Sequence, residues 1–564
     1  MTGAQFIATT LERYGVTHIF FVPTILSKTL FHLEERTSIA RILTHGEKAA
    51  AYMADGYARA SGRVGVCCSQ MVGAANLAAG LRDAYLACAP VLAVTGGPYP
   101  GSRGRSMYQE NDDFRMLQLV SKWSMRVEVG DRLAPAIRSA FQAATSGKPG
   151  PTHLELAGHF GELIEEASVT AEAVESEFCR APAFRPCADD ESIAVAAQLL
   201  ARAERPIIVA GGGVRTSGAE QELRMLAESM NVPVVTSLNA KEVIPGDHPL
   251  NAGVVGLYSR ESANRAVLDS DLVFFVGSKT GSQVTHSWQI PPPGRAVIQL
   301  DIDAGELGRN YVTRASLLGD AKMTLGRLCA LADLSTAPRR APWTQQVSAY
   351  VAQWREKFDA AMQSLAEPIR PERMCRVLND VLPDDALVVA DTGHAGMWTA
   401  AMLDLREGHG FIRAAGSLGW GLPAAIGAKF AAPDRPVVLF TGDGGAYYHL
   451  SELETAARWR VPVVVIVNNN RSLNQEVEVY EPAYGGRLHG RHHELWHFDD
   501  IDFSRVAETL GVRGIRITRP SDIAAALETA FAHEGPVVVD AVTDIEAMAP
   551  LAFVRDELTT EAVA

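Results

Sequence analysis

Cysteine is scarce in this sequence: seven residues in 564, namely Cys67, Cys68, Cys88, Cys179, Cys187, Cys329 and Cys375. The number is odd and no pair has C-x-x-C spacing, which excludes a disulfide framework and a zinc ribbon as organising devices. Long apolar runs are missing too. The strongest, such as Val461–Val467, are far shorter than the roughly 20 residues that a bilayer-spanning helix needs. The first residues, Met1–Ala8, enter an amphipathic pattern directly, without the basic segment and apolar core of a secretory leader. No membrane is therefore expected as a partner, and a reducing cytoplasm is the expected location. Positive charge is in deficit, with 52 Lys and Arg against 66 Asp and Glu and a net charge of −14. A chain of that sign has no general attraction for nucleic acid. What remains is an ordinary globular composition, 47% hydrophobic and 21% charged, which excludes wholesale disorder. At roughly 150 residues per domain, the length points to about three or four domains.

Short apolar runs bounded by Gly or Pro alternate with helical patterns. In the first block, residues 1–165, strand candidates are His18–Val22, Arg63–Cys68, Val91–Thr95 and Thr152–Leu156, with helices such as Glu47–Ala60 and Ala75–Ala87 between them. A linker over 165–190, containing Ala181-Pro182-Ala183-Phe184-Arg185-Pro186, leads to a second block over 190–332. Its strand candidates are Pro206–Ala210, Val232–Thr236, Leu272–Val276 and Ala296–Leu300. A further linker, Ser335–Trp343, precedes a third block over 365–550, with strand candidates Leu387–Ala390, Pro436–Thr441, Pro462–Val467 and Pro536–Asp540. Strands alternating with helices imply βαβ units, so the expected fold is α/β, with three doubly wound parallel-sheet domains.

The strongest chemical signal lies in the third block. The run Pro436–Thr441 enters Gly442-Asp443-Gly444-Gly445, a helical pattern follows over Tyr448–Trp459, and the next strand ends in Asn468-Asn469-Asn470. Sequential strands of a doubly wound sheet end on one edge, where ligands bind, so Asp443 and Asn470 can meet in space. A carboxylate and an amide oxygen suit a hard cation such as Mg²⁺, which keeps positions open for phosphate oxygens. The glycines allow close backbone approach, and the following helix offers its N-terminal amides to an anion. Alone, G-D-G-G reads as a tight turn; the strand–helix–strand setting and the Asn run make it a metal-diphosphate site.

With this pattern the sequence resembles the thiamine diphosphate (ThDP) enzymes, whose signature is G-D-G, a spacer and N-N, and within them the acetolactate synthase-like group. The three blocks then correspond, in order, to pyrimidine-binding, central and diphosphate-binding domains. The resemblance implies Mg²⁺ ligation by Asp443, Asn470 and the backbone carbonyl of Ser472, with Gly444, Gly445, Leu473 and Asn474 beside the cofactor. Thr44-His45-Gly46-Glu47, followed by a stretch ending M-A-D-G-Y-A-R at Arg59, is similar to the family's R-H-E-Q…M-A-x-G-Y-A-R. Glu47 takes the place of the glutamate that hydrogen-bonds the pyrimidine and favours its imino form, which removes the reactive thiazolium proton. In the stretch Gly416–Gly427, Leu418 takes the place of the aliphatic wedge under the cofactor, and the Gly416 carbonyl that of the acceptor for its 4′-amino group. Asp391-Thr392-Gly393-His394 resembles the family's D-x-G-x-H, which makes Gly393 and His394 diphosphate contacts. Ser69–Asn76 resembles the S-G-P-G-A-T-N loop and brings Gly73 and Asn76 to the cofactor, although Met71 and Val72 replace small or rigid residues. Val22-Pro23-Thr24-Ile25 lacks the glycine that usually follows the proline. Met107-Tyr108-Gln109-Glu110 resembles F-Q-E and directs Gln109 to the reacting centre. In the family the glutamate and the metal ligands of one site come from two subunits, so a homodimer is the expected minimum and a tetramer the common form.

The implied reaction decarboxylates a 2-oxo acid donor, pyruvate first, and ligates the remainder to a second carbonyl. Decarboxylation alone, or C–C cleavage of hydroxyketones, diketones or acyl-CoA, are the alternatives. The chain departs from acetolactate synthases where Asn474-Gln475 stands for Gly-Met and Val479 for the Trp that selects the second oxo acid. Gly46 also replaces a histidine beside Glu47. In the central block Gly211-Gly212-Gly213 suits a dinucleotide or a plain strand-to-helix turn equally, and FAD, which some relatives hold there, is a candidate on that ground. An NAD-dependent dehydrogenase would need G-x-G-x-x-G with a downstream ribose carboxylate, and none stands out. A ThDP-binding regulator would lack Glu47. The His-rich stretch Leu488–His497 reads as a loop over the site in preference to a zinc centre.

Overall fold

A computed structural model describes residues 1–170 and 174–551; positions 171–173 of the first linker lie outside the described residues. Each block folds around a six-stranded, all-parallel sheet. The first contains β1 (His18–Phe21), β2 (Ala40–Leu43), β3 (Gly65–Ser69), β4 (Val91–Gly97), β5 (Trp123–Val127) and β6 (Thr152–Ala157), in the order β2-β1-β3-β4-β6-β5. The second contains β7 (Pro206–Ala210), β8 (Val234–Thr236), β9 (Asn251–Val254), β10 (Leu272–Val276), β11 (Ala296–Asp301) and β12 (Ala315–Leu318). Its order, β9-β8-β7-β10-β11-β12, is that of a dinucleotide fold. The third contains β13 (Leu387–Ala390), β14 (Gly410–Arg413), β15 (Val437–Gly442), β16 (Val463–Asn469), β17 (Arg513–Ile517) and β18 (Val537–Val542). Its order, β14-β13-β15-β16-β18-β17, repeats that of the first. Every strand candidate read from the sequence is present, and the strands not foreseen, β2, β5, β9, β12, β14 and β17, are the two edges of each sheet.

The first and third domains meet through the helices Glu47–Ser61 and Gly421–Ala431. Their backbones approach closely because both carry glycine at the contact. A β-carbon added to Gly56 would strike the carbonyl of Ala424, and one added to Gly427 that of Met53.

Ser335–Trp343 is not the slack linker expected. Arg340 is fully buried and donates to the carbonyls of Leu200, Ala203 and Met230, at the C-terminal ends of the helices Asp190–Arg202 and Glu220–Met230. Those ends carry unpaired carbonyls and partial negative charge, which compensate a buried cation. Burial lowers the Arg340 guanidinium to about 10. Trp343 is buried beside it, its Nε1 donating to the Pro206 carbonyl at 2.9 Å, and the segment continues into the helix Ala341–Met362. No helix among the described residues is long and apolar enough to cross a membrane.

His153, on β6, is fully buried against the Thr95 hydroxyl at 2.9 Å, and burial lowers it to about 3. Between the ordinary value near 6.5 and 3, the unfolded chain carries the proton and the folded chain does not, so falling pH favours unfolding. Relative to His153→Gln, the wild type is expected to lose about 1.4 kcal/mol of stability for each pH unit in that window. Denaturant unfolding of both proteins from pH 7 to 4 measures this; parallel curves would refute it.

Candidate cofactor site

The third sheet builds the metal end. Strands β13 and β15 lie side by side at the point where the strand order reverses, and in a doubly wound sheet ligands bind beyond the C-terminal ends of the strands at that point. Asp443 follows β15 directly and begins the helix Asp443–Tyr447. Its carboxylate, 2% exposed, accepts from the backbone N–H of Gly444 at 2.6 Å and of Ser472 at 3.1 Å. Burial raises it to about 6, against the pull of the backbone N–H groups of Gly444, Ser472, Arg471 and Asn470. Arg471, at φ +58°, turns the chain sharply after Asn470 and so delivers Ser472 to Asp443. Of the three asparagines, Asn469 is consumed structurally: its Nδ2 donates to Asp540 Oδ1 at 2.9 Å and to the Ile501 carbonyl. Asn470 adjoins the turn, buried, as the spacing required. The set Asp443, Asn470 and the Ser472 carbonyl is all oxygen, which fits Mg²⁺ and not a thiophilic metal. The His-rich stretch does not bring three ligands together: among the described residues no group of three His, Cys, Asp or Glu side chains is placed to hold an ion. Instead it straps this loop, with the Trp496 carbonyl accepting from Leu473 N–H at 2.8 Å and from the Ser472 hydroxyl at 3.1 Å.

The cradle beside the metal end has unpaired polar atoms and space made by glycine. Gly393, at φ +72° and ψ −150°, occupies a conformation open to glycine and leads into the helix His394–Met402. Burial lowers His394 to about 4, so it is neutral, and its Nδ1 is buried without a partner. Asn474 donates to the Ile545 carbonyl at 2.9 Å and to the Ala547 carbonyl at 3.2 Å. Leu473 covers Gly444, where a β-carbon would strike its side chain. From the central domain, the Tyr258 hydroxyl accepts from Gln475 Nε2 at 3.3 Å. Gly416, at φ +152°, is exposed with open space around it, and Leu418 is half-buried. The turn between them and β15 is organised by Asp391, whose role the sequence did not reveal. Its buried carboxylate accepts from Thr392, Gly419 and Gly421 N–H at 2.8 to 3.1 Å and from the Thr441 hydroxyl at 3.2 Å.

The first sheet builds the pyrimidine end. Glu47 opens its helix just after β2, half-buried, and accepts from Asn76 Nδ2 at 3.1 Å. A β-carbon on Gly73 would lie 2.5 Å from Glu47 Oε1, so the loop after β3 is pressed onto the carboxylate. Gln109, at φ +66°, sits on a turn fastened by Glu110, which accepts from Gly104 and Met107 N–H at 2.6 and 3.0 Å. His159, which the sequence reading passed over, joins the two loops: its ring contacts the Tyr108 carbonyl at 2.6 Å and its own carbonyl accepts from Met71 N–H. No hydrogen bond or ion pair among the described residues links Glu47, Gly73, Asn76 or Gln109 to Asp443, Asn470 or Ser472. Within one chain they form two separate clusters.

In the central domain, the Gly211–Gly213 turn borders a cavity of about 290 Å³, which Ser278, Asp301 and Asp320 also line. The turn is held against the next strand, with Gly211 N–H donating to Val276 and Gly213 N–H to Gly277.

Three family descriptions match consecutive parts of this architecture: "Thiamine pyrophosphate enzyme, N-terminal TPP binding domain" over residues 1–116, "central domain" over 193–328 and "C-terminal TPP binding domain" over 391–541. The chain belongs to the thiamine pyrophosphate enzyme family. Full-length similarity narrows this. A probable acetolactate synthase large subunit of Methanocaldococcus jannaschii is 33% identical over 96% of this chain and 92% of the relative. The acetolactate synthase large subunit of Parasynechococcus marenigrum is 32% identical over 94% and 86%, and the isozyme 3 large subunit of Escherichia coli 29% identical over 94% and 92%. Within the family, the chain is acetolactate synthase-like.

Proposed function

We propose that this protein is a Mg²⁺- and ThDP-dependent carboligase that decarboxylates a 2-oxo acid, pyruvate first, and joins the remainder to a second carbonyl compound. The observation that supports this reading is the Asp443 carboxylate tied to the Ser472 N–H in a chain that also has Glu47 hydrogen-bonded to Asn76 at the start of the helix Ala74–Ala87. ThDP, when bound, supplies the carbon nucleophile and the electron sink for decarboxylation. The chain supplies the rest. Asp443, Asn470 and the Ser472 carbonyl would hold Mg²⁺, while Gly393, His394, Gly444, Gly445, Leu473 and Asn474 enclose the diphosphate. Glu47, oriented by Asn76, holds the proton at the pyrimidine nitrogen. The Gly416 carbonyl and Leu418 would hold the pyrimidine half of the cofactor, and Gln109 would face the substrate. Two chains complete each site, which makes a homodimer the active unit and a tetramer its pairing, in the cytoplasm. FAD is the candidate for the central cavity, and a flavin absorbance in the purified protein tests it.

Proton NMR of the protein with ThDP, Mg²⁺ and pyruvate, with and without an aldehyde, tests the reaction. Acetolactate or a mixed hydroxyketone is the expected product. Acetaldehyde alone would make the protein a decarboxylase, and no loss of pyruvate from ThDP-loaded protein would remove pyruvate as donor.

A further inference from the structure

The stretch Arg413–Gly421 is held at alternate residues. Asp83, on the helix Ala74–Ala87 of the first domain, accepts Ala415 N–H on Oδ1 at 2.8 Å and Ser417 N–H on Oδ2 at 3.1 Å. Asp391 of the third domain accepts Gly419 and Gly421 N–H. Gly416 and Leu418 lie between pinned positions, Gly416 exposed and Leu418 half-buried. A peptide unit is planar and trans, so an N–H fixed in one direction aims the carbonyl of the preceding residue in the other. Pinning Ser417 N–H on Asp83 therefore points the Gly416 carbonyl away from Asp83.

Asp83 is itself held. It is fully buried, and Arg59 donates to its Oδ1 at 2.8 Å while bridging to both oxygens of Asp55 at 2.6 and 2.7 Å. The same guanidinium donates to the Arg413 carbonyl at 2.5 Å and stacks 4.6 Å from the Trp420 ring, whose Nε1 donates to Asp55 at 2.7 Å. A buried carboxylate tied to a buried cation and to two amides has one available orientation, since breaking any tie leaves a charge unpaired. The M-A-D-G-Y-A-R motif thus supplies, through Asp55 and Arg59, the clamp that orients Asp83.

We propose that Asp83 is a positioning residue: from the N-terminal domain it sets the Gly416 carbonyl and, with it, the Leu418 wedge that shape the pyrimidine half of the cofactor in the same chain's C-terminal domain. The inference rests on the ThDP reading. An asparagine at 83 keeps the shape but presents an NH₂ to one of the two N–H groups.

Binding of two probes with Mg²⁺ to wild type and Asp83→Asn, followed by tryptophan quenching, tests it. The probes are ThDP and the thiazole diphosphate half of the cofactor, which lacks the pyrimidine. ThDP affinity is expected to fall roughly tenfold or more, with thiazole diphosphate affinity within about twofold of wild type. Equal loss for both probes, or no loss for either, overturns the assignment of Asp83. Failure of the wild type to bind ThDP would instead remove the cofactor reading on which it rests. Should the variant not fold, hydrogen exchange on wild-type protein without cofactor decides. Protected Ala415 and Ser417 amides support the proposal; free exchange that is quenched only on adding ThDP overturns it.

Discussion

Replacing Glu47 with glutamine is expected to lower 2-oxo acid turnover by about 10²–10⁴-fold while leaving ThDP and Mg²⁺ bound, because a positioned proton-transfer group contributes that much and little else. The substitution is nearly isosteric and still accepts from Asn76, so the loop over Gly73 keeps its place. What is lost is a carboxylate able to hold a proton at the pyrimidine nitrogen. Two measurements separate this from a binding defect. Exchange of the thiazolium C2 proton of bound ThDP into D₂O, read by NMR after acid quench, is expected to slow in parallel with turnover. Cofactor affinity, read by fluorescence, is expected to stay within a few-fold. Wild-type turnover in Glu47→Gln would remove this residue from the mechanism.

The elements that were legible in the sequence are those whose signal is local. Central strands such as β10 and β13 are buried on both faces and read as unbroken apolar runs, so Leu272–Val276 and Leu387–Ala390 are legible to the residue. Edge strands pair on one side only and are partly exposed. β2 and β5 bury one residue each, and β12 alternates buried with exposed, so none stands out as an apolar run. Asp443 and Asn470 stand out as candidates because both follow strand ends at a readable spacing, and Glu47 because it opens a helix within a motif. Asp83 and His159 act across long sequence separations, Asp83 binding amides more than 330 positions away. No local pattern distinguishes such a residue from an ordinary core aspartate. Arg340 was misread for the same reason: its neighbours, Pro and a second Arg, suggest a linker, and the carbonyls that bury it belong to distant helices.

Asp443→Asn is expected to weaken Mg²⁺-dependent ThDP binding by on the order of 10²-fold or more, since even outer partners of metal ligands cost 10–100-fold when changed. The carboxylate serves two neighbours at once. Its Oδ1 takes Gly444 N–H and its Oδ2 takes Ser472 N–H, and both oxygens are needed to keep the loop folded toward the metal. An amide offers one acceptor, turns its NH₂ toward the other N–H and removes the charge that balances the cation. In the wild type, ThDP and Mg²⁺ at 100 times the dissociation constant stabilise the folded chain by about 2.7 kcal/mol, and a chelator withdraws that gain; in Asp443→Asn the same concentrations are expected to give about 0.4 kcal/mol or less. The same variant decides whether sites span two chains. Glu47→Gln spoils the pyrimidine end and Asp443→Asn the metal end, so in a mixed dimer one site inherits both faults and the other neither. Co-refolded in equal amounts, the two dead variants are expected to recover about one quarter of wild-type turnover, because half the dimers are mixed and each has one intact site. If both ends came from a single chain, the mixture would stay as inactive as its components.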